Sequence, residues 1–373
     1  MPPSPLAALA ASLSLAATPA SVAAAVAPHG WEPILQLALT HRLAPALLSR
    51  LREANAVPTI PPLVLADGSR TVTAELDHIW QAHLDRAAAL ATRLAELTTA
   101  LNAAGLDPIL LKGGRSLATG APPWRTMRDL DLLLPGRDAD RAHEVALALG
   151  YRRAPDATEK AGKHHFQPLF RDDLPGWVEI HARAATHRAE ALLPTPLLTA
   201  TAIPASIGSA NARVLPGPEH TLHALVHHHV GHRGDKGGAI DLKGLFEFTA
   251  DIAALTPAER ETLLALALRH PRLLAALDLW LAAAHALFAL PVEPPFALIP
   301  DATSRAARAL ERTASPEARY AGFGEEIAFA SDPARLARQP QGGTALGRLA
   351  LRARVLGSML RPMIDPFGAQ PDQ

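Results

Sequence analysis

Asp129 and Asp131 lie two residues apart in the apolar run Asp129-Leu130-Asp131-Leu132-Leu133-Leu134. In a strand, alternate side chains share a face, so the two carboxylates project together while Leu130, Leu132 and Leu134 enter the core. Two strand rises put them about 7 Å apart, a separation that can hold metal ions between them. Buried without a cation they would repel and raise each other's pKa, so the pairing calls for a divalent ion as third party. Oxygen-only ligation favours magnesium or manganese. Upstream, Gly113-Gly114 follows the apolar Ile109-Leu110-Leu111 and precedes a short helix expected from Arg115. Backbone N–H groups and a helix N-terminus there can face an anion of triphosphate size. Lys112 adds a point charge beside it, and only five of the 36 basic residues are lysine, which sets this one apart from ordinary surface decoration.

A third carboxylate follows in Trp177-Val178-Glu179-Ile180-His181. The alternation predicts a strand with Val178 and Ile180 in the core and Glu179 and His181 on the opposite face. If this strand pairs beside that of Asp129, Glu179 completes a three-carboxylate cluster able to hold two metals. The run His164 to Phe170, turned by Asp172-Asp173-Leu174-Pro175-Gly176, reads as its hairpin partner.

These segments resemble the uncharacterised nucleotidyltransferase family of the DNA polymerase β-like superfamily. Its pattern of K-G-x-x-x-L, R-x-M-x-D-[IL]-D-L-L and [VIL]-E-[ILV]-H reads here as Lys112 to Leu117, Arg125 to Leu133 and Val178 to His181. The likeness is strong from Leu106 to Arg183 and extends weakly from Leu215 to Asp251. It departs at Ala182, where the family often carries tryptophan. The resemblance implies transfer of a nucleoside monophosphate from an NTP, with ATP the expected donor, to a hydroxyl or phosphate acceptor. Asp129, Asp131 and Glu179 would bind the metals. Lys112, Gly113 and Gly114 would hold the β- and γ-phosphates, Arg125 or Arg128 would neutralise developing charge, and His181 would orient Glu179 or touch the acceptor. A small molecule, a sugar, a modified peptide, RNA or a protein all remain open as the acceptor.

The chain has 373 residues, 49% of them hydrophobic, enough for one large core or two smaller ones. A formal net charge of zero leaves no footprint for bulk nucleic-acid binding. The lack of cysteine excludes disulfides, thiolate zinc sites and cysteine nucleophiles. Leu6 to Val26 is alanine-rich and apolar, but no lysine or arginine precedes Arg42 and Ser and Pro interrupt the run, so helix is expected there and the cytoplasm as location. No later segment has the profile expected of a membrane span.

The chemistry-bearing strands need a frame. Helical spacing predicts helices over Glu32 to Arg52 and Ser69 to Ala104, stopped at Gly105. A further helix is expected over Ala139 to Leu149, and the Pro-, Ala- and Thr-rich stretch from Arg183 to Pro218 reads as an irregular connector or strand-poor lid. Helices resume at Glu219, with breaks at Gly234 to Gly238, Pro291 to Pro300 and Gln339 to Gly343, and the tail after Pro366 is expected to be disordered. The expected fold is α+β: a small mixed sheet of about four or five strands (105–218), flanked by N-terminal (1–104) and C-terminal (219–373) helical regions.

The histidines 220, 223, 227, 228, 229 and 232 offer a second chemistry, since positions 223 and 227, or 228 and 232, are one helical turn apart and could chelate zinc or iron with Asp235 or Asp241. No HExxH or HD dipeptide accompanies them. One of these histidines is expected to reach the nucleotide site or a core hydrogen bond, and the others to be solvated. Glu247 and Asp251, on a helix from Asp241 to Ala253, read as structural. A histidine-metal hydrolase and a non-catalytic nucleotide-binding regulator on the same scaffold are the competing functions.

Overall fold

The structure is a computed structural model describing residues 4–56, 72–120, 124–154, 166–173, 176–231, 238–314 and 330–364. Its centre is a mixed sheet of seven strands among these residues. In chain order they are β1 (Ile109–Leu110), β2 (Asp129–Leu133), β3 (Arg152–Arg153), β4 (Leu169–Phe170), β5 (Trp177–His181), β6 (Ile203–Ile207) and β7 (Ala210–Val214). Across the sheet the order is β3-β4-β5-β2-β1-β7-β6. The chemistry-bearing strands are therefore central: β2 runs parallel to β5 and antiparallel to β1.

Four or five strands were expected, and the excess lies mainly in residues 183–218. That stretch is not strand-poor: β6 and β7 form an antiparallel hairpin through Gly208 at φ +60°, and β7 adds parallel to β1. Its signal is weak because the inward positions of β7 are the small Ala210 and Ala212 with Val214, and Ile203 of β6 is exposed. The hairpin partner of β5 is present as β4, with Leu169 opposite Val178. Residues 164 and 165 lie outside the described residues.

Behind the sheet runs the long helix Val72–Ala103, whose Leu90, Leu94, Leu97 and Leu101 are fully buried at helical spacing. With Arg137–Ala148 and the apolar faces of β2, β5 and β7 it forms one hydrophobic cluster. A second cluster joins Leu9, Trp31 and Leu47 from the N-terminal helices to Leu245, Trp280 and Phe288 from the C-terminal ones. The two helical regions thus share a core, and they close over one side of the sheet.

Two element boundaries differ from expectation in ways that matter for the site. The helix expected over Glu32 to Arg52 is two, Trp31–Thr40 and Ala44–Glu53, separated by a turn in which Arg42 takes φ +57°. The helix after β1 starts at Lys112 and not at Arg115, so Gly113 and Gly114 lie inside its first turn. Pro271–Phe288 is, against expectation, long and apolar enough to cross a membrane, with mean hydropathy 1.3, yet 89% of it is buried inside the protein. The tail after Pro366 lies outside the described residues.

Candidate active site

The register of β2 against β5 places Asp131 directly opposite Glu179 and Leu133 opposite His181. Leu130, Leu132, Val178 and Ile180 are fully buried in the core behind them. The turn into β5 is held by glycine. Gly176 has φ +84°, and a Cβ there would lie 2.7 Å from the Arg128 carbonyl oxygen, the same oxygen that accepts from Trp177 N–H at 3.1 Å. Arg93, buried, donates to the Gly176 carbonyl at 2.8 Å. Sequence-distant groups therefore lock the height of Glu179 beside Asp131.

Asp131 is the buried centre of the site, with its side chain 1% exposed. Its Oδ1 accepts from Lys112 Nζ at 2.8 Å and lies 2.7 Å from His181 Nε2. Its Oδ2 is buried with no hydrogen-bond partner among the described residues. Burial by itself would raise the Asp131 pKa, but Lys112 and His181 outweigh it and hold the carboxyl well below its ordinary value. Lys112 and His181 in turn are raised: in each case burial pulls down, and the carboxylates, Asp131 above all, overcome it. Asp129, on the same face of β2, is raised by burial and then by repulsion from Asp131, with Lys112 opposing. Three carboxylates thus meet around one lysine and one histidine.

A donor set of this kind fits a divalent cation. Single ligand atoms of Asp131, Glu179 and His181 lie within 4.8 Å of one another, and the orphaned Oδ2 of Asp131 is a buried acceptor that the protein leaves unsatisfied. Asp129 is outside that tight group but lines the cleft in front of it.

That cleft, of about 610 Å³, is bounded by Lys112, Gly113, Asp129 and Glu179 on the sheet side. Thr40 to Arg42 of the N-terminal helices and His227, His228, Asp241, Lys243 and Glu247 of the C-terminal ones form its other walls. Several expected site residues are placed differently. Gly114 does not line the cleft: its Cα faces Leu110, Leu94 and the Asp131 carbonyl. Neither glycine has a positive φ, and it is Lys112 that carries φ +42°. Arg128 is exposed and does not line the cleft, because alternation turns it away from Asp129. Arg125 does line it, but is buried, donates to Ser116 Oγ at 2.8 Å and pairs with Glu247 at 3.1 Å. His181 is buried, outside the cleft lining, and bonds Asp131, with Glu179 farther away at 3.6 Å.

The two glycines therefore have separable roles. Gly113→Val would drive its side chain into Met127, whose Cγ and Sδ stand 2.8 Å from the Cβ position, and Met127 lines the cleft. Gly114→Val would overfill the layer between the helix and β2. The expected outcome is weaker nucleotide binding for Gly113→Val. For Gly114→Val a stability loss of about 1–3 kcal/mol should come first. Melting temperatures and nucleotide dissociation constants of the two variants check this, and equal losses of affinity at equal stability would contradict it.

The histidine run meets its expectation in part: His223 makes a core hydrogen bond and His227 and His228 reach the cleft, but the others are not all solvated. It spans the end of the α-helix Gly217–Val226 and a π-helical turn, His227–Gly231. His220, His223 and His229 are buried, not solvated. His220 is 3.5 Å from Asp251, His223 Nε2 donates to the Ala184 carbonyl at 2.7 Å, His228 pairs with Asp241 at 2.7 Å, and His229 Nδ1 accepts from Trp280 Nε1 at 3.4 Å. Burial lowers the His223 pKa to about 4, so it stays neutral. Their partners differ, and the histidines do not converge on a common point among the described residues; His232 and Asp235 lie outside those residues. Glu247, expected to be structural, is buried in a bridge from Arg125 to Lys243, whose Nζ is 2.6 Å from it. Sequence reasoning missed Arg42, Lys243 and Glu247 as cleft residues, although Lys243 carried the same signal as Lys112, being one of five lysines.

A family model described as an uncharacterised nucleotidyltransferase matches residues 27–289. The chain belongs to that family. The match begins in the N-terminal helices and ends in the C-terminal ones, so all three walls of the cleft fall within the family region. No curated protein and no solved structure matches the chain.

Proposed function

We propose that the protein transfers a nucleoside monophosphate from an NTP, ATP in the first instance, to a hydroxyl or phosphate acceptor, with magnesium or manganese as cofactor. The observation that carries this reading is the register that sets the buried Asp131 opposite Glu179, with Glu179 and Asp129 lining a cleft, in a family of nucleotidyltransferases. Asp129, Asp131 and Glu179 would hold the metal ions, with His181 fixing the Asp131 carboxylate from behind. When bound, such ions supply Lewis-acid stabilisation of charge on the phosphates and lower the pKa of the acceptor oxygen.

In the reaction the acceptor oxygen attacks the α-phosphorus, a new P–O bond forms, and the bond to the β-phosphate bridging oxygen breaks, the electron pair leaving with pyrophosphate. Glu179, half-buried and facing the cleft, would take the acceptor proton. Gly113 brings its backbone to the cleft wall without a side chain, and Lys112 stands beside it. Arg125 is held between Ser116 and Glu247, a fixed positive charge on the cleft wall.

The test is turnover with α-phosphate-labelled ATP, magnesium and a deproteinised cell extract as acceptor pool. Label appearing on an extract component together with pyrophosphate release supports the reading, and release of labelled AMP or of unlabelled orthophosphate without transfer speaks for a hydrolase. The three carboxylates standing together disfavour a purely regulatory protein, and the scattered partners of the histidines disfavour a histidine-metal hydrolase.

A further inference from the structure

We propose that the turn Thr40 to Arg42 of the N-terminal helices is a polyphosphate-binding element, with the Arg42 guanidinium as the group that holds the β- and γ-phosphates; this rests on the nucleotidyltransferase reading for the identity of the polyphosphate, though not for the existence of an anion site. Lys112 is matched to Asp131, Arg125 and Lys243 share Glu247, and His228 is paired with Asp241. Arg42 lines the same cleft, its side chain exposed, and no hydrogen bond or ion pair to its guanidinium occurs among the described residues. Among the described residues, it is the lysine or arginine of this cleft that lacks a carboxylate.

The backbone gives an independent reason. Arg42 N–H donates to the Leu39 carbonyl at 3.0 Å and Leu43 N–H to the Ala38 carbonyl at 2.7 Å, the two bonds of a Schellman ending to the helix Trp31–Thr40. Arg42 occupies the left-handed position of that ending, at φ +57°, where glycine meets no Cβ penalty. Four non-glycine residues have positive φ among those described, and the two with cationic side chains, Arg42 and Lys112, both line this cleft. Strain of this kind accumulates where a side chain must be aimed. The aim is also fixed: Thr126 Oγ1 donates to the Arg42 carbonyl at 3.2 Å. Thr126 adjoins Met127, which packs on Gly113, so the turn is moored to the segment that faces the first turn of the helix Lys112–Thr119. The opposite wall cannot serve equally, because the N-terminus of the helix Leu242–Ala254 is already capped by Asp241.

The decisive variant is Arg42→Gly, which removes the guanidinium while supplying the residue that the turn prefers, so the fold is expected to be as stable or more so. Calorimetric titrations with magnesium would compare ATP, AMP and inorganic tripolyphosphate on wild type, Arg42→Gly and Arg42→Lys, with melting temperature recorded for each. Losing a charge-assisted contact should weaken ATP and tripolyphosphate by about tenfold or more. AMP should be unaffected, and Arg42→Lys should fall between. Unchanged ATP and tripolyphosphate affinities in Arg42→Gly would overturn the clamp while leaving the transferase reading intact, and equal weakening of ATP and AMP would overturn it as well. Arg42-dependent tripolyphosphate binding in a protein that transfers no nucleotide would keep the anion site and remove the transferase reading. Wild-type protein that binds neither ATP nor tripolyphosphate would sink both.

Discussion

Asp131→Asn is expected to abolish nucleotide transfer and to weaken the fold at the same time. The carboxylate is buried, with Lys112 and His181 both on Oδ1, so the substitution takes from the Lys112 ammonium its directly bonded counter-charge and leaves only Asp129 and Glu179 near it. Removing one partner of a buried pair costs about 3–5 kcal/mol, and since the Lys112 side chain keeps 17% exposure the lower part of that range applies. Loss of a metal ligand should lower turnover on the order of a hundredfold or more. Because both effects arise from one residue, the measurement is the specific activity of the folded fraction, with unfolding followed by urea titration of the same samples. Wild-type turnover in a fully folded Asp131→Asn protein would show that this carboxylate holds no metal. Pairing with Lys112→Met would separate the two effects: the double variant should regain much of the stability and none of the activity.

Glu179→Gln should separate catalysis from stability more cleanly. Its side chain is 20% exposed at the cleft and keeps its shape and hydrogen-bonding capacity as an amide, so the melting temperature should change little. What it loses is the charge that would help hold the acceptor-side metal and receive the acceptor proton. Turnover should fall on the order of a hundredfold or more while ATP binding largely survives, since binding draws on groups elsewhere in the cleft. The measurement is the dissociation constant for ATP beside the rate of pyrophosphate release. A loss confined to binding, with the rate at saturation unchanged, would move Glu179 out of the catalytic machinery.

Much of the carboxylate geometry was legible because period-two alternation is a local property: Leu130, Leu132, Val178 and Ile180 announce two strands and which way Asp129, Asp131 and Glu179 face. Pairing is not local. Nothing in residues 124–181 states that β2 and β5 are parallel neighbours in the register that opposes Asp131 to Glu179, and that register depends on Gly176 and on Arg93 from a distant helix. The same limit hid the other walls of the cleft. Arg42 comes from a turn read as the middle of one helix, because its apolar flanks keep helical spacing across the break. Glu247 looked like an ordinary helix residue until Arg125 and Lys243 were found on either side of it. The Gly113-Gly114 pair was legible as a close approach but not as the interior of a helical turn, where one glycine faces Met127 and the other the core.

The histidine run shows how spacing misleads when the helix changes its pitch. A continuous α-helix would put His223 and His227 on one face as neighbours. The π-helical turn beginning at His227 changes that phase, and His223 is held at the Ala184 carbonyl while His227 opens to the cleft. With His223 buried, its substitution carries a packing and hydrogen-bond cost of its own, which makes it a poor probe of catalysis.

The most direct test of the central claim is whether a divalent cation and a nucleotide bind together at Asp131 and Glu179. Manganese binding followed by electron paramagnetic resonance, in the presence of a non-reacting α,β-methylene analogue of ATP, reads this without knowledge of the acceptor. Wild-type protein should bind manganese more tightly when the analogue is present, and that gain should be lost in Asp131→Asn and reduced in Glu179→Gln. Manganese and analogue bound with wild-type affinity and coupling by both variants would contradict the account.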